Sequence, residues 1–536
     1  MNYLLVAGLM MWSAQLLSGC ADSAFVEEYE YEEGAESSND EQQQPLSDEV
    51  SKRLETVPGV SEVEIQVSET DASNRVYFFF VDQLIDHNDP SKGMFKQRCI
   101  LRFKGNDRPV VLYTDGYNAS TNVDRMSHND IELYLNANYL EVEHRYFGDS
   151  QPEDPDDTDF TYLYTDQAAA DLHAIVTLIQ QHLFPRSNKW VSTGVSKDGI
   201  TSALYAYYSD KNGWDDIDFY MPCCAPFITG TPTSCCNNVI GKYVAYTCGK
   251  GYPVGSIEEQ AYRRLQAIPV AICTNKKLRD ACLRELHLRD ARNYMDIASI
   301  FTDSLEQAAT AQAVASFYEN MAQHFSYISY ALWAKYVPDP AEAIAPEASE
   351  DEFNNLVNFI HIDNDGLIEL IEKETEAVNE TRSPWTDKDI VYYRQADPSF
   401  SYYIQAYREL GSYCYDLSRV KDDYIGPKLA ELVPYYLSID YSLGTRYAGQ
   451  WDGGKLMTDV RNWTKTVSTK PILFYYSYND PWTGAAIDDE AADPTRKVWK
   501  VVNLLGVHNS KFLDESYCDE AARQTIKNAI RTVLGM

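Results

Sequence analysis

Residues 189–199 decide the fold, and they read Lys189-Trp190-Val191-Ser192-Thr193-Gly194-Val195-Ser196-Lys197-Asp198-Gly199. A largely apolar run leads directly into a serine flanked by glycines, and a run with helical spacing follows at 200–208. A strand, a sharp turn and a helix are the setting of a nucleophile elbow, in which the serine hydroxyl projects beyond the carboxyl end of a sheet. Serine is also a common turn residue, so the Gly-x-Ser-x-x-Gly pattern alone is weak. Its position between a strand and a helix makes Ser196 the candidate nucleophile.

Strands and helices alternate on both sides of this segment. Apolar runs bounded by turn residues predict further strands, and a helix is predicted at 165–183; the strands lie at 76–81, 110–113, 139–143, 219–221, 471–476 and 498–504. Such alternation predicts an α/β protein with a largely parallel sheet covered on both faces. The predicted organisation is a sheet domain at 61–255 and 446–536, interrupted by a mainly helical cap at 256–445.

Two candidate partners of Ser196 follow late in the chain. Asp480 comes just after the strand at 471–476, and His508 follows the next strand. The order Ser, Asp, His is that of α/β-hydrolases, in which His508 would take the Ser196 proton and Asp480 would hold the imidazole ring. Because Pro481 follows Asp480, a plain turn is the alternative interpretation of that residue. The prediction is an α/β-hydrolase fold with an inserted helical cap.

The N-terminal residues predict export. Residues 1–19 form an apolar stretch shorter than the roughly 20 residues of a spanning helix, where a signal peptide has its hydrophobic region. Leu17-Ser18-Gly19-Cys20 resembles a bacterial lipobox, so residues 1–20 are a predicted lipoprotein signal peptide with Cys20 as the lipidated residue. An ordinary cleaved signal peptide is the alternative. The acidic residues 21–60 are a predicted disordered tether to the membrane of the cell envelope.

Net charge and cysteine content indicate which partners, cofactors and cellular compartment to expect. A net charge of −35 argues against a nucleic-acid partner, because phosphate binding needs a basic surface. Of 11 cysteines, setting Cys20 aside leaves an even number, and the adjacent pairs Cys223-Cys224 and Cys235-Cys236 predict disulfides in an oxidising compartment. A zinc site is the alternative, although the pairs lack the spacer of zinc ligands. Since metal and nucleotide motifs are missing, we expect no cofactor.

Several motifs together resemble the serine peptidase family of Streptomyces-type tripeptidyl aminopeptidases and, more distantly, the lysosomal prolyl carboxypeptidase and dipeptidyl peptidase family. The matching residues are 83–87, 97–98, 114–117, 143–148, 166–171, 189–197, 480–482 and 508. The resemblance implies an exopeptidase that removes short, tripeptide-like units from peptides with a free N-terminus, through an acyl-enzyme on Ser196. It also implies oxyanion donors at Lys197 and at Tyr117 in the Gly116–Tyr117 turn, and an acidic anchor for the substrate's α-ammonium.

Asp198 departs from this family, which has glycine two residues after the nucleophile. Its side chain would either point to solvent or distort the elbow, and its charge would oppose an oxyanion unless Lys197 offset it. Two alternatives to the exopeptidase therefore stay open. One is a serine hydrolase of other specificity, either a prolyl-type peptidase or an esterase. The other is a catalytically inactive lipoprotein that keeps the fold for binding.

Overall fold

The computed structural model describes residues 47–69, 71, 74–152, 158–230, 253–285, 337–360, 400–411 and 448–535, with residues 317, 334, 387, 388, 391 and 394. The predicted signal peptide with Cys20, residues 21–46 of the predicted tether and the pair Cys235-Cys236 lie outside the described residues. Within the described ranges, no helix is both long and apolar enough to cross a membrane.

One nine-stranded sheet organises the described part of the chain, in the order β1-β2-β3-β5-β4-β6-β7-β8-β9. The strands are β1 (Val60–Val67), β2 (Arg75–Leu84), β3 (Met94–Arg102), β4 (Val110–Thr114), β5 (Asn138–Val142), β6 (Trp190–Val195), β7 (Phe219–Cys223), β8 (Ile472–Ser477) and β9 (Val498–Asn503). The first four strands in this order, β1, β2, β3 and β5, pair with one another in antiparallel fashion. From β5 onward, each strand is parallel to the next one in the sheet.

Helices flank this sheet. They are α1 (Glu49–Glu55), α2 (Asp130–Leu135), α3 (Thr165–His182), α4 (Lys197–Asn212), α5 (Ile257–Thr274), α6 (Lys276–Glu285), α7 (Pro340–Ala343), α8 (Glu350–Ile360), α9 (Phe400–Gln405), α10 (Lys455–Thr466) and α11 (Glu520–Leu534). A π-helical turn, Ala406–Leu410, continues α9. Short 3-10 turns lie at Pro90–Lys92, Val123–Arg125, Ala448–Gln450, Pro481–Ala485, Asp489–Ala491 and Pro494–Arg496.

The alternation of side chains along the strands produces two apolar layers, one on each face of the sheet. In β4, Val110 and Leu112 face the layer formed by α1, α3, α4 and α10, whereas Val111 faces the layer formed by α2 and α11. All three side chains are fully buried. The predicted α/β-hydrolase fold, with a largely parallel sheet covered on both faces, is confirmed.

The start of the folded part differs from the prediction. The tether was predicted to extend to residue 60, but α1 begins at Glu49, with Asp48 in a capping box and Leu54 fully buried. Val50 packs on the same core, one helical turn before Leu54. The many acidic residues before it made this short amphipathic helix hard to recognise in the sequence. The predicted end of the tether at residue 60 is therefore wrong.

The predicted cap is helical wherever the structure describes it. The described residues between 256 and 445 form α5 to α9 and contain no strand. Phe400, Ile404 and Tyr407 pack against Tyr146 and Phe160 of the sheet domain in a separate buried cluster. A single inserted cap domain over 256–445 stays a prediction.

Strands β7 and β8 are neighbours although about 250 residues separate them in the chain, with Tyr220 opposite Ile472. Because β6 to β9 are parallel, their carboxyl ends meet at one edge of the sheet. This edge receives Ser196 after β6, Asp480 after β8 and His508 after β9.

Candidate active site

Ser196 holds a strained backbone conformation between β6 and α4. Its φ is 62° and its ψ is −124°, outside the regions that non-glycine residues normally occupy. Its N–H donates to the carbonyl oxygen of Cys223 at 2.9 Å. Such a conformation persists only where the surrounding structure fixes it, and it is concentrated at functional sites. The predicted nucleophile elbow is therefore formed.

Two glycines allow α4 to approach the strands closely enough to form the elbow. A Cβ at Gly194 would lie 2.5 Å from the backbone of Asp198, and a Cβ at Gly199 would lie 2.5 Å from the carbonyl oxygen of Cys223. Contacts this short are not possible for a side-chain carbon. Glycine at both positions is therefore a steric requirement of the turn.

Asp480 and His508 form a buried, hydrogen-bonded pair. The Nδ1 of His508 lies 2.7 Å from Oδ2 of Asp480, and both side chains are almost completely buried. The other oxygen, Oδ1, accepts a hydrogen bond from the N–H of Trp482 at 3.0 Å. A carboxylate at Nδ1 favours the tautomer whose proton is on Nδ1, so Nε2 becomes the basic atom. This is the orientation that a general base at a serine requires.

The end of β7 connects the elbow with this pair. The carbonyl oxygen of Cys223 binds Ser196, while the Cys224 thiol lies 3.4 Å from the carbonyl oxygen of Asn509. One side-chain atom each of Cys224, Asp480 and His508 lies within 4.8 Å of the other two. The structure therefore brings the three predicted catalytic residues to one edge of the sheet, around the Cys223-Cys224 peptide. The position of Cys224 beside Asp480 and His508 was not predicted from the sequence.

Within the described ranges, Cys224, Asp480 and His508 are also a group of potential metal ligands whose side-chain atoms lie close together. Two ligands on one tetrahedral zinc ion lie about 3.3 Å apart, given metal–ligand distances of about 2.0–2.1 Å. The 2.7 Å between His508 and Asp480 is the shorter spacing of a hydrogen bond. Their geometry is that of an acid–base pair.

The predicted disulfides at Cys223 and Cys224 are not formed. Both residues are buried thiols, as are Cys99, Cys273 and Cys518. Each thiol of the pair faces a backbone carbonyl oxygen, that of Met221 for Cys223 and that of Asn509 for Cys224. The two side chains are therefore used in packing around the sheet edge, and the prediction is wrong for this pair.

The backbone N–H groups of the two predicted oxyanion donors differ in their hydrogen bonding. Lys197 is the first residue of α4, and no described residue accepts a hydrogen bond from its backbone N–H. The N–H of Tyr117, in contrast, donates to Oδ1 of Asp115 at 2.9 Å. An aspartate commonly captures the N–H two residues later in this way. The structure therefore gives no support to Tyr117 as an oxyanion donor.

Asp198 neither points to solvent nor distorts the elbow. It is 6% exposed; Oδ1 accepts from the N–H of Gly116 at 2.7 Å, and Oδ2 accepts from the hydroxyl of Tyr113 at 2.8 Å. Burial raises the pKa of Asp198 to about 6, although both hydrogen bonds and the charge of Lys197 oppose that rise. The aspartate is accommodated because the preceding strand and turn satisfy both of its oxygens.

Lys197 is buried next to Asp198. Its Nζ donates to the carbonyl oxygen of Gly116 and lies 4.8 Å from the centre of the Phe147 ring. Burial lowers the pKa of Lys197 to about 7, while the charges of Asp198 and Asp115 act in the opposite direction. A lysine with a pKa of about 7 is only partly protonated at neutral pH, so Lys197 offsets the charge of Asp198 in part.

Most of the remaining sequence motifs build a buried scaffold behind the site. Arg145 binds Asp171 through two hydrogen bonds of 2.6 and 2.7 Å, and His87 reaches the same carboxylate at 2.8 Å. Glu143 accepts hydrogen bonds from Ala119, Asp149 and Ser150, and burial raises its pKa to about 7. These motif residues therefore hold the loops around the sheet edge, and their carboxylates are not open to an amine.

Comparison with known proteins finds several similarities. Residues 43–226 match the family model of PS-10 peptidase S37. The prolyl tri/tetrapeptidyl aminopeptidase of Streptomyces mobaraensis is 25% identical over 490 residues, covering 89% of this chain and 83% of that protein. The serine protease vicPb of Bipolaris victoriae (strain FI3) is 29% identical over 29% of this chain and 34% of that protein. The rice cell wall degrading esterase LipA of Xanthomonas oryzae has a TM-score of 0.34 at 11% identity, over 90% of this chain and 99% of that one.

The resemblance to a serine peptidase family, predicted from the motifs, is confirmed by the first two of these matches.

Proposed function

We propose that this protein is an exported serine exopeptidase that releases short, tripeptide-like units from peptides with a free N-terminus. The observation that carries the proposal is the 2.7 Å hydrogen bond between buried Asp480 and His508, at the sheet edge that holds the strained Ser196. An imidazole oriented by a carboxylate next to a serine elbow is the arrangement that makes a hydroxyl nucleophilic.

The residues act in two half-reactions. In the first, His508 Nε2 takes the proton of the Ser196 hydroxyl while Oγ attacks the scissile carbonyl carbon, and the imidazolium then gives that proton to the leaving amine. In the second, a water molecule loses its proton to His508 and attacks the acyl-enzyme, which releases the short peptide and restores Ser196. Asp480 stabilises the imidazolium in both.

The start of α4 stabilises the oxyanion of each tetrahedral intermediate. The backbone N–H of Lys197 and the positive end of the 16-residue helix α4 lie directly after Ser196. Donors that are already oriented need no rearrangement when the charge develops, which is why such sites lower the barrier.

The aminopeptidase of Streptomyces mobaraensis supports the exopeptidase specificity, because its name specifies tri- and tetrapeptide units and proline. That protein aligns with 89% of this chain. We therefore expect cleavage after the third or fourth residue, with proline as the first residue to test before the scissile bond.

The activity is tested by fluorophosphonate labelling, followed by a peptide panel. We expect the wild type to be labelled, Ser196→Ala to be unlabelled, and Ser187→Ala, a change at an exposed serine nearby, to be labelled like the wild type. Peptides with free N-termini should then release tripeptides or tetrapeptides, while N-acetylated copies should resist.

Folded wild-type protein that takes no label would overturn the assignment of Ser196 as an activated nucleophile. Labelling together with hydrolysis of simple esters or of acetylated peptides alone would instead favour a serine hydrolase of other specificity.

We further propose that Cys20 carries a lipid that anchors the protein to the cell envelope, on the basis of the lipobox-like residues 17–20. In bacterial cells fed labelled palmitate, the wild type should take up label and enter the membrane fraction. Cys20→Ser should do neither, and equal fractionation of both proteins would contradict the anchor.

A further inference from the structure

The peptide group of Gly116 is held from both sides by the two residues that follow the nucleophile. Its N–H donates to Oδ1 of Asp198 at 2.7 Å, and its carbonyl oxygen accepts from Nζ of Lys197. Gly116 begins the turn after β4, and Lys197 and Asp198 form the first turn of α4. Two side chains adjacent to Ser196 therefore fix a turn that lies about 80 residues earlier in the chain.

Residues 113–116 and the first turn of α4 are in close contact. A Cβ at Gly116 would lie 2.6 Å from Oδ1 of Asp198 and 2.9 Å from the backbone carbon of Lys197. Asp198 also accepts from the Tyr113 hydroxyl at 2.8 Å, and its carbonyl oxygen accepts from the Thr114 hydroxyl at 2.9 Å. Asp198 thus binds three of the four residues 113–116, and the turn lies directly against the helix N-terminus.

We infer that Asp198 is a positioning residue for the reaction: with Lys197 it clamps the Gly116 peptide and thereby sets the wall of the oxyanion site beside the Lys197 N–H. This inference rests on the proposed function, because it concerns the transition state formed on Ser196. The turn itself offers shape rather than donors, since the N–H groups of Gly116 and Tyr117 are both bound to carboxylates.

The charges around the clamp are consistent with such a role. Lys197 and Asp198 are groups of opposite charge next to the oxyanion site, and each acts against the shift that burial imposes on the other's pKa. Burial raises the pKa of the neighbouring carboxyls Asp115 and Glu141, which favours their neutral forms. The buried aspartate can therefore remain near a developing negative charge without adding an uncompensated one.

Substitutions at Asp198 separate positioning from stability. Asp198→Asn keeps an acceptor for Gly116, and its amide N–H can donate to the Tyr113 oxygen, so we expect kcat within about threefold of the wild type. Asp198→Ala leaves a buried N–H and a buried hydroxyl unpaired. We expect it to lower kcat and the fluorophosphonate labelling rate about 10- to 100-fold with little change in KM, since small misplacements at a reacting centre have effects of this size.

The matched control is Asp216→Ala. Asp216 is a buried aspartate that binds a tyrosine hydroxyl and His173, at the other end of α4. It should lose thermal stability comparably and keep the wild-type labelling rate. If Asp198→Ala does not fold, Tyr113→Phe removes only the hydroxyl contact and should slow labelling a few-fold.

Hydrogen exchange gives a readout that does not depend on catalysis. In a Ser196→Ala background, the amide of Gly116 should exchange at least tenfold faster when Asp198 is replaced by Ala than when it is replaced by Asn. Equal labelling rates for wild type and Asp198→Ala, or equal exchange in the two variants, would overturn the clamp. Wild type that labels but releases no short peptides would overturn the exopeptidase and leave this comparison intact.

Discussion

At the scale of single residues, Ser196 shows how the fold stores strain at its reacting atom. A backbone conformation with φ of 62° costs a non-glycine residue on the order of 1–3 kcal/mol. The hydrogen bond from its N–H to Cys223 and the close packing allowed by Gly194 and Gly199 maintain it. This strained turn lies at the sheet edge to which the parallel strands also bring His508.

Replacing Asp480 by Asn tests the acid–base pair. With its oxygen facing the Trp482 N–H, the amide would direct its NH₂ group at Nδ1 of His508 and so favour the tautomer whose proton is on Nε2. The amide is also uncharged, so it no longer stabilises the imidazolium. We expect kcat/KM to fall about 10⁴-fold, as for the equivalent change in serine proteases. The amide oxygen can still accept from Trp482, so the melting temperature should change by only a few degrees.

The same assay on Asp488→Asn provides the control, because Asp488 pairs with Arg461 and Lys465 away from His508. Its kcat/KM should equal that of the wild type. An Asp480→Asn protein with activity within tenfold of the wild type would contradict the assigned role of the pair.

The pH dependence of stability tests the burial of Asp198, which faces Tyr113, Lys197 and the carboxyls of Asp115 and Glu141. Burial raises its pKa from 3.8 to about 6, so between these values the folded protein holds a proton that the unfolded chain releases. Stability therefore falls as pH rises through this window. Asp198→Asn lacks this titration. From pH 4 to pH 6.5 its free energy of unfolding should therefore rise relative to that of the wild type by about 2 kcal/mol.

Urea unfolding at several pH values measures this difference. A gap between the two proteins that stays constant from pH 4 to pH 6.5, or that moves in favour of the wild type, would show that Asp198 is not desolvated in the folded state.

The candidate catalytic residues could be selected from the sequence because each follows a recognisable strand and the three occur in the order Ser, Asp, His. The clamp was not predictable. Whether Asp198 distorts the elbow depends on Tyr113 and Gly116, which reach it from across the sheet. The hydrogen bond from the Tyr117 N–H to the side chain of Asp115 was not predictable either, because the turn type alone does not show it.

At the scale of elements, the packing of α4 on β7 determines whether the elbow can form. Gly199→Ala places a methyl group 2.5 Å from the carbonyl oxygen of Cys223, the same carbonyl that binds Ser196. Overpacking of this kind destabilises a protein by about 1–3 kcal/mol or more. We expect a clear fall in melting temperature and loss of fluorophosphonate labelling.

Gly449→Ala is the matched control, because its new methyl group would meet nothing within 4 Å. It should retain both melting temperature and labelling. A Gly199→Ala protein that is as stable and as active as this control would show that α4 and β7 are farther apart than the structure indicates.

Elements with an uninterrupted apolar run were predictable, and those whose pattern depends on distant partners were not. Strand β3 was missed because charged residues interrupt it, yet Arg102 at its end is buried through a 2.7 Å contact with Glu132 on α2. Strand β1 alternates apolar and acidic residues, and its acids made it resemble the tether that precedes it. Only the pairing with β2 reveals it as part of the sheet.

At the scale of the whole molecule, the net charge of −35 implies self-repulsion that salt should relieve. We expect the melting temperature to rise when NaCl is increased from 10 to 300 mM, roughly a shortening of the Debye length from 30 Å to below 8 Å. Equal concentrations of a neutral osmolyte, such as sucrose, should have a smaller effect. A melting temperature that falls with added NaCl would mean that attractive ion pairs outweigh the repulsion.

The pairing of β7 with β8 has a consequence for how the chain is made. A ribosome that adds 5–20 residues per second needs roughly 10–50 s to extend the chain by the 250 residues between them. Throughout that interval, β7 has no partner on one side, and its unpaired backbone and apolar side chains are a template for aggregation. The nascent chain must therefore either be kept from folding until synthesis ends or be shielded along that edge. The half of the sheet that carries Ser196 cannot become a finished site before His508 has emerged.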